Sequence, residues 1–171
     1  FDLPLNFRNP YAAVGFSDFW KRWHISLSTW LRDYLYIALG GNRGGRWRTY
    51  RNLMLTMLLG GLWHGAGWNF VVWGGCHGVL LVLERLARGE REGATNEPSG
   101  LSRLVWAGAT LLAVVALWIP FRSPDFASTA LFLQAFTLSW TPLDFSAACA
   151  LTAFAAIVLV QWLLRDRSLD A

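Results

Sequence analysis

The sequence has little charge for a chain of its length. Only 15% of its 171 residues are Asp, Glu, Lys or Arg, whereas a typical soluble domain carries about 25% charged residues. Hydrophobic residues make up 54% of the chain, and they include eleven tryptophans, a residue that anchors membrane proteins at the lipid–water interface. Because so few polar groups cannot cover a soluble surface, the composition predicts an integral membrane protein.

Cysteine and histidine are scarce as well. Cys76 and Cys149, the two cysteines, match neither a disulfide framework nor a zinc-ligand spacing, so we expect them to pack as small apolar residues. The three histidines, His24, His64 and His77, include no pair three or four residues apart, so no metal site is predicted. The net charge of +4 is spread over loops and helix ends, which argues against a nucleic-acid partner and favours basic membrane loops.

The chain also lacks the features of a signal peptide at its start. It begins with Phe1 rather than Met, and residues 1–16 contain Pro4 and Pro10 but neither a charged start nor a continuous apolar core. Prolines at this spacing oppose regular structure. We therefore expect an irregular entry segment, and we interpret the chain as the C-terminal part of a longer protein.

A helical periodicity begins at Asp18 and continues to Leu39. Aromatic and apolar side chains recur every three or four residues on one side, His24 lies on the flank of that side, and charged residues occupy the other. Ser17 is the expected N-cap, and Asp18 in the first turn opposes the helix dipole. Because this helix carries too much charge to cross hydrocarbon, it is predicted to be amphipathic and to lie at the membrane interface.

Residues 40–51, "GGNRGGRWRTYR", are predicted to be a basic loop, with Gly40 and Gly41 ending the preceding helix. The loop is expected to face the cytoplasm, or alternatively to bind anionic lipid headgroups or the phosphates of an acyl donor. Residues 52–83 carry no charged side chain, and one helix of that length would measure roughly 48 Å, more than the hydrocarbon thickness of about 30 Å. The glycines at 65 and 67 predict a break, and a re-entrant or double pass would keep both flanking loops on one face.

Two further apolar stretches, residues 104–121 and 146–164, are long enough to cross a bilayer. The first is expected to end at Pro120, and residues 122–145 are predicted to be a loop with one amphipathic segment, "FASTALFLQAF". A polar loop at 87–103 separates a motif-bearing core, residues 1–86, from the C-terminal spans, residues 104–171. The predicted fold is therefore an all-α polytopic membrane protein with an interfacial helix, a glycine-broken long hydrophobic segment and two more spans.

The histidine in "LLGGLWHGAGWNF" admits two interpretations. Broken backbone at membrane depth persists only where protein or a water-filled cavity satisfies its polar groups, so the surroundings of His64 are expected to be polar. A buried imidazole stays neutral and can accept the proton of an alcohol that attacks an ester or thioester. No G-x-S-x-G motif is present, so such a transfer would be direct. From composition alone, a hydrogen-bonded core histidine is the alternative.

The blocks "FSDFWKRWHISLSTWLRDYLYIALGGNR" and "LLGGLWHGAGWNFVVWGGCHGVLLVLER", in this order, closely resemble the membrane-bound O-acyltransferase (MBOAT) family and, within it, the bacterial alginate O-acetyltransferase branch. The resemblance covers residues 6–86. It implies that His64 is the catalytic membrane-embedded histidine of the family, and that His24 is the preceding conserved residue, essential or supporting. His77 also lies in a family block, with packing or a supporting role expected.

Further residues of these blocks are candidates for the walls of the site. Arg32 and Asp33 of "LRDY" are family features, and since neighbours on a helix do not face each other, each is expected to hold a separate partner. Trp63, Trp68 and Asn69 are expected to line a cavity around His64, the alternative for the tryptophans being the lipid interface or the core.

The resemblance implies an acyltransferase that O-acetylates an exopolysaccharide such as alginate, with His64 as general base. It implies no bound cofactor, and acetyl-CoA or a similar thioester as co-substrate. The expected partners are membrane lipid and either a polysaccharide acceptor or a periplasmic acetyl-relay acetyltransferase, in the bacterial inner membrane. D-alanyl transfer to teichoic acid, acetylation of another polymer, a non-catalytic acyl or ion transport subunit and a structural scaffold are the alternatives.

Overall fold

A computed structural model of the chain describes residues 3–88, 98–138 and 145–165. Within these ranges the regular structure is helical, which confirms the predicted all-α class. The helices are α1 (Phe16–Arg22), α2 (Ile25–Trp30), α3 (Arg46–Trp63), α4 (Trp68–Arg88), α5 (Gly100–Arg122), α6 (Phe126–Leu138) and α7 (Phe145–Leu163), together with a 3₁₀ turn at Pro10–Ala12 and a π-helix at Leu31–Tyr36. Three of them, α4, α5 and α7, contain stretches that are long and apolar enough to cross a membrane.

The centre of the fold is an antiparallel hairpin of α3 and α4. Glycines let the two backbones touch: a Cβ on Gly61 would overlap the carbonyl oxygen of Phe70, and a Cβ on Gly74 would overlap that of Met57. The helices are separated by residues 64–67, so the predicted break at the glycines is confirmed. Both charged ends of the hairpin, near Arg46 and Arg88, therefore lie together, an arrangement that a re-entrant segment and a double pass share.

The predicted continuous helix from Asp18 to Leu39 is interrupted in the structure. It stops at Arg22, resumes at Ile25 and becomes a π-helix from Leu31. The N-cap is Gly15, with φ of 108° and ψ of 160°, and not Ser17, whose backbone N–H is instead bound by the Glu84 carboxylate at 2.8 Å. A sequence periodicity does not register such a break, because the aromatic side chains keep their spacing on both sides of it.

Three other predicted boundaries shift. The arginines at 46, 48 and 51 lie on α3 rather than in a loop, because α3 begins directly after Gly45. Helix α5 continues two residues beyond Pro120. The proline lies in the last turn of the helix, and its missing backbone N–H removes only one helical hydrogen bond. Residues 89–97 of the predicted polar loop at 87–103 lie outside the described residues. Its first two residues belong to α4 and its last four belong to α5.

The entry segment is held between α5 and α7. The backbone N–H of Gly15 donates to the Thr110 hydroxyl at 3.0 Å, and that of Tyr11 donates to the Gln161 side chain at 2.9 Å. Helix α5 runs antiparallel to α4, because Arg88 lies over the Trp106 ring at one end and Asn69 binds the Ser123 carbonyl at the other. This arrangement brings the last turn of α5 beside the tip of the α3–α4 hairpin.

Candidate active site

His64 is the first residue after α3 and occupies the tip of the hairpin. Its backbone N–H donates to the Gly61 carbonyl at 3.0 Å, which turns the chain out of the helix. The imidazole is half-buried and meets three rings nearly at right angles, with centroid distances of 5.0 Å to Trp63, 5.4 Å to Trp73 and 5.1 Å to Phe121. His64 lies outside the three stretches that are apolar enough to cross a membrane, in an aromatic surround that is not fully closed.

The electrostatics of the site favour a neutral His64. Burial lowers the pKa of its imidazole below the ordinary value, and the neighbouring His24 lowers that pKa further. Burial acts in this direction because a low-dielectric surround disfavours the charged imidazolium. A neutral imidazole is the form that accepts a proton, so the local environment holds this side chain in the state that a general base requires.

His24 stands at the break between α1 and α2. Its backbone is left-handed, with φ of 45° and ψ of 54°, a conformation that is uncommon outside glycine but more frequent for histidine and asparagine than for most residues. Asn6 of the entry segment supports this corner, because its backbone carbonyl accepts the N–H of Ile25 at 3.0 Å and its side chain accepts that of Ser26 at 3.1 Å. The corner turns His24 out of the helix line.

The two histidines meet around one indole. The Trp63 ring lies 6.3 Å from the His24 ring and 5.0 Å from the His64 ring. Phe7 covers His24 from the other direction at 6.2 Å, and the His24 Nδ1 atom is buried without a hydrogen-bond partner among the described residues. The helical periodicity placed His24 on the flank of the aromatic side of its own helix, whereas its ring neighbours in the structure, Phe7 and Trp63, come from other segments.

His77 is joined to the same group through Trp73. It is 1% exposed and lies 4.7 Å from Trp73, which in turn contacts His64. The Phe19 ring of α1 stacks on His77 at 6.3 Å, with an interplanar angle of 8°. The structure therefore brings His24, His64 and His77 into one continuous aromatic cluster, with His77 in the most enclosed position.

The prediction that Arg32 and Asp33 hold separate partners is wrong. They form a two-pronged salt bridge with each other, in which Arg32 Nε donates to Asp33 Oδ1 at 2.7 Å and a second guanidinium nitrogen donates to Oδ2 at 3.2 Å. Both side chains are exposed, so the long arginine bends back across the surface of the π-helix. The hydrogen bond from Arg32 lowers the pKa of the Asp33 carboxyl. This pair stands apart from the histidines.

The three expected cavity walls have different positions. Trp63 contacts both His24 and His64, as described above. Trp68 is 74% exposed, and no ring contact joins it to His64 in the described part of the chain. Asn69 is buried, and its side-chain amide donates to the Ser123 carbonyl at 2.7 Å, so it fixes α5 against α4.

Sequence reasoning missed Trp73, Phe121 and Phe7, which supply most of the aromatic surround. Trp73 follows the break, so its position relative to His64 depends on how the hairpin closes and not on helical spacing. Phe121 comes from α5 and Phe7 from the entry segment, and no local pattern links either to a histidine. The one usable signal is the richness in aromatic residues near Pro120, "LWIPF".

The titratable side chains of the site are imidazoles beside aromatic rings. Among the described residues, no group of three or more His, Cys, Asp or Glu side chains is placed to hold a metal ion. Cys76 and Cys149 are both free thiols. What the site offers is one half-exposed imidazole with a lowered pKa, a second imidazole beside it, and an aromatic wall.

Comparison with known proteins identifies the family of this chain. The family model of MBOAT, the membrane-bound O-acyltransferase family, matches residues 3–94. The chain is 55% identical over 120 residues to the probable alginate O-acetylase AlgI of Azotobacter vinelandii, a match that covers 70% of this chain and 23% of that protein.

Two further relatives carry different names. The peptidoglycan O-acetyltransferase of Helicobacter pylori is 45% identical over 127 residues, with 74% of this chain and 23% of that protein covered. The teichoic acid D-alanyltransferase of Streptococcus thermophilus is 37% identical over 87 residues, with 47% and 21% covered. The chain thus spans about a quarter of the length of these relatives. Because the family model covers more than half of the chain and includes both His24 and His64, the chain belongs to the membrane-bound O-acyltransferase family.

Proposed function

We propose that the protein containing this chain is an O-acyltransferase of the bacterial inner membrane that acetylates an exopolysaccharide such as alginate, with His64 as the general base. The observation that carries the proposal is the position of His64 at the hairpin tip, half-buried among aromatic rings and with a lowered pKa. Support for the substrate comes from the sequence identity of 53–55% to proteins named probable alginate O-acetylases.

The proposed reaction is a direct acyl transfer. The neutral His64 imidazole takes the proton of an acceptor hydroxyl, whose oxygen then bonds to the carbonyl carbon of a thioester such as acetyl-CoA. The tetrahedral intermediate collapses and the carbon–sulfur bond breaks, which releases a thiolate. The thiolate then takes the proton from the His64 imidazolium, so the products are an ester and a free thiol, and His64 is neutral again.

His24 is proposed to support this base rather than to replace it. A protonated His64 beside a second imidazole is disfavoured, which fits the effect of His24 on the His64 pKa. The left-handed corner at His24 and the Trp63 ring between the two side chains hold them at a fixed separation. A misplaced His24 is therefore expected to disturb the site even where it takes no proton itself.

The hairpin suggests how two substrates reach the site from different directions. Its charged end carries Arg46, Arg48 and Arg51 on α3 and Arg85 and Arg88 on α4, and His64 lies at the opposite end, about 27 Å away for an 18-residue helix. Basic residues favour the cytoplasmic side, where thioesters are made. The hydroxyl of a polysaccharide, or a periplasmic acetyl-relay protein, would then approach from the side of the hairpin tip.

One observation favours a second polymer as the acceptor of the acetyl group. The relative named as a peptidoglycan O-acetyltransferase matches 74% of this chain, a longer stretch than the D-alanyltransferase matches. Peptidoglycan is therefore the alternative polymer, with the same base and the same donor. A non-catalytic subunit that transports acyl groups or ions is an alternative function of a different kind. It predicts that replacing the His64 imidazole leaves polymer acetylation unchanged.

The decisive experiment replaces His64 in the full-length protein. His64→Gln removes the base and keeps a polar side chain, and Ala66→Gln places the same side chain two residues away at the exposed hairpin tip. Loss of a general base lowers turnover by about 10²–10⁴-fold. We expect that loss in polymer acetylation for His64→Gln at unchanged membrane abundance, with Ala66→Gln close to wild type. Normal acetylation by His64→Gln would refute the proposal.

A further inference from the structure

A second concave site lies on the other side of Trp20 from the histidine cluster. It is a cavity of about 460 Å³ between α1, α2, the π-helix, α3 and α4. Its apolar lining comes from five side chains of four elements: Ile25, Leu31, Leu53, Met57 and Leu81. His24, His64 and His77 are not among the lining residues, so this cavity is separate from the site of the proposed reaction.

The charged groups of the cavity all have the same sign. Lys21, Arg32 and Arg85 line it, and no aspartate or glutamate does. Arg32 is paired with Asp33, whereas no salt bridge joins Lys21 or Arg85 to a carboxylate in the described ranges. Glu84, next to Arg85 in sequence, is turned away from that arginine and binds Arg88 and the Ser17 N–H. Lys21 and Arg85 therefore line the cavity without a carboxylate partner among the described residues, beside the apolar side chains and five hydroxyl-bearing residues, Ser17, Ser28, Thr29, Tyr36 and Thr56.

Trp20 separates the cavity from the histidine cluster. It lines the cavity, and its ring also contacts Trp73 and His77 at 5.8 Å and 5.0 Å. Two cations and an apolar floor on the cavity side of this ring together suit an anion that carries an apolar chain.

We propose that this cavity binds an acidic phospholipid, with the phosphate between Lys21 and Arg85 and the upper part of an acyl chain on the apolar floor. Two observations favour a lipid. First, Leu81 and Arg85 belong to α4, one of the candidate membrane spans, so a chain leaving the cavity continues into hydrocarbon. Second, Arg85 lies at the charged end of the hairpin, where lipid headgroups reside. The inference does not depend on the proposed acyl transfer.

The test measures lipid retention by the full-length protein. The protein is placed in nanodiscs of phosphatidylcholine with a graded fraction of phosphatidylglycerol, and native mass spectrometry counts the phosphatidylglycerol molecules that stay bound. Lys21→Gln and Arg85→Gln are each expected to weaken retention about five-fold. Arg122→Gln, an exposed arginine at the end of α5 and outside the cavity, is the charge control and is expected to leave retention unchanged.

A second pair of variants separates shape from charge. Leu53→Trp fills the cavity and keeps every cation, whereas Leu55→Trp places the same ring on an exposed position of α3 outside the lining. Loss of bound phosphatidylglycerol with Leu53→Trp alone supports the proposal. Equal retention by all variants would overturn it, and so would displacement of the lipid by soluble coenzyme A, since that result assigns the cavity to a soluble phosphate compound. Neither outcome touches the role of His64.

Discussion

The imidazole of His64 and the indole of Trp73 stand edge to face, with centroids 5.4 Å apart and planes at 87°. The same indole lies 4.7 Å from His77 and is 5% exposed. Trp73 thus forms the inner wall of the site and lies between the half-buried His64 and the enclosed His77. The wall comes from α4 and His64 from the end of α3, so the closure of the hairpin sets their relative position.

The first prediction concerns this wall. Trp73→Leu is expected to lower acetyl transfer at least ten-fold and to destabilise the protein by about 2–3 kcal/mol, because a buried ring is replaced by a smaller side chain that leaves a cavity. Trp73→Phe keeps a ring in place and is expected to be milder in both measurements. Turnover and thermal unfolding of the full-length protein in detergent check this. Trp47→Leu, at an 81% exposed position on α3, is the control and changes neither quantity.

The second prediction concerns pH. Because burial and His24 lower the His64 pKa, the acid limb of the pH–rate profile is expected to lie below the ordinary histidine value of about 6.5. Activity is present above that limb, where His64 is neutral, and is lost as pH falls through it. His24→Gln removes one of the two causes, so it is expected to shift the acid limb upward in addition to lowering the rate.

The measurement for this prediction is the pH dependence of kcat/KM for polymer acetylation, which reports the free enzyme. His24→Asn is the matched control for the backbone, since asparagine also accepts the left-handed conformation that His24 adopts. An acid limb that stays in place in both variants would show that His24 acts on His64 by packing only.

Features that depend on local sequence were predictable, whereas contacts between segments far apart in the chain were not. The break at residues 64–67 and the two C-terminal spans followed from glycine content and apolar length, and they are confirmed. His24 and His64 were named from the sequence blocks, yet their convergence on Trp63 depends on a left-handed corner that periodicity does not register. Phe121 reaches the site from a helix more than fifty residues later, which no local pattern contains.

The error at Arg32 and Asp33 has a different physical origin. The rule that adjacent helical residues do not face each other describes the directions of their Cβ atoms. Arginine is long and flexible enough to reach back along the surface, and the segment is a π-helix, in which the turn is wider than in an α-helix. Side-chain length overrides backbone spacing wherever both groups are exposed.

The third prediction concerns the glycine seam of the hairpin. Gly61→Ala and Gly74→Ala are each expected to destabilise the protein by about 1–3 kcal/mol, because the added Cβ meets a backbone carbonyl of the facing helix, which has no rotamer to yield. Gly108→Ala is the matched control: it also lies within a helix, but a Cβ there meets nothing within 4 Å. Thermal unfolding in detergent is the measurement. Alanine raises helix propensity, so Gly108→Ala is expected to be neutral or stabilising, and equal losses at all three positions would contradict the close approach.

The fourth prediction concerns Asp18, which ties α7 to the start of α1. Its carboxylate accepts bonds from Arg165 at 3.1 Å, Arg22 at 2.7 Å and the Val14 N–H at 2.9 Å, and Arg165 is only 6% exposed. Removing the negative charge leaves two cations facing a neutral group, so Asp18→Asn is expected to lower the free energy of unfolding by about 2–3 kcal/mol. This loss is smaller than that for a fully buried pair because Asp18 is partly exposed.

The control is Asp33→Asn, which breaks the exposed pair with Arg32 and is expected to leave the unfolding temperature unchanged. The specific sign of α7 release would be faster amide hydrogen exchange within α7 in Asp18→Asn. Unchanged exchange would show that the hydrogen bonds of Tyr11 with Gln161 and of Asn9 with Leu164 suffice to hold it.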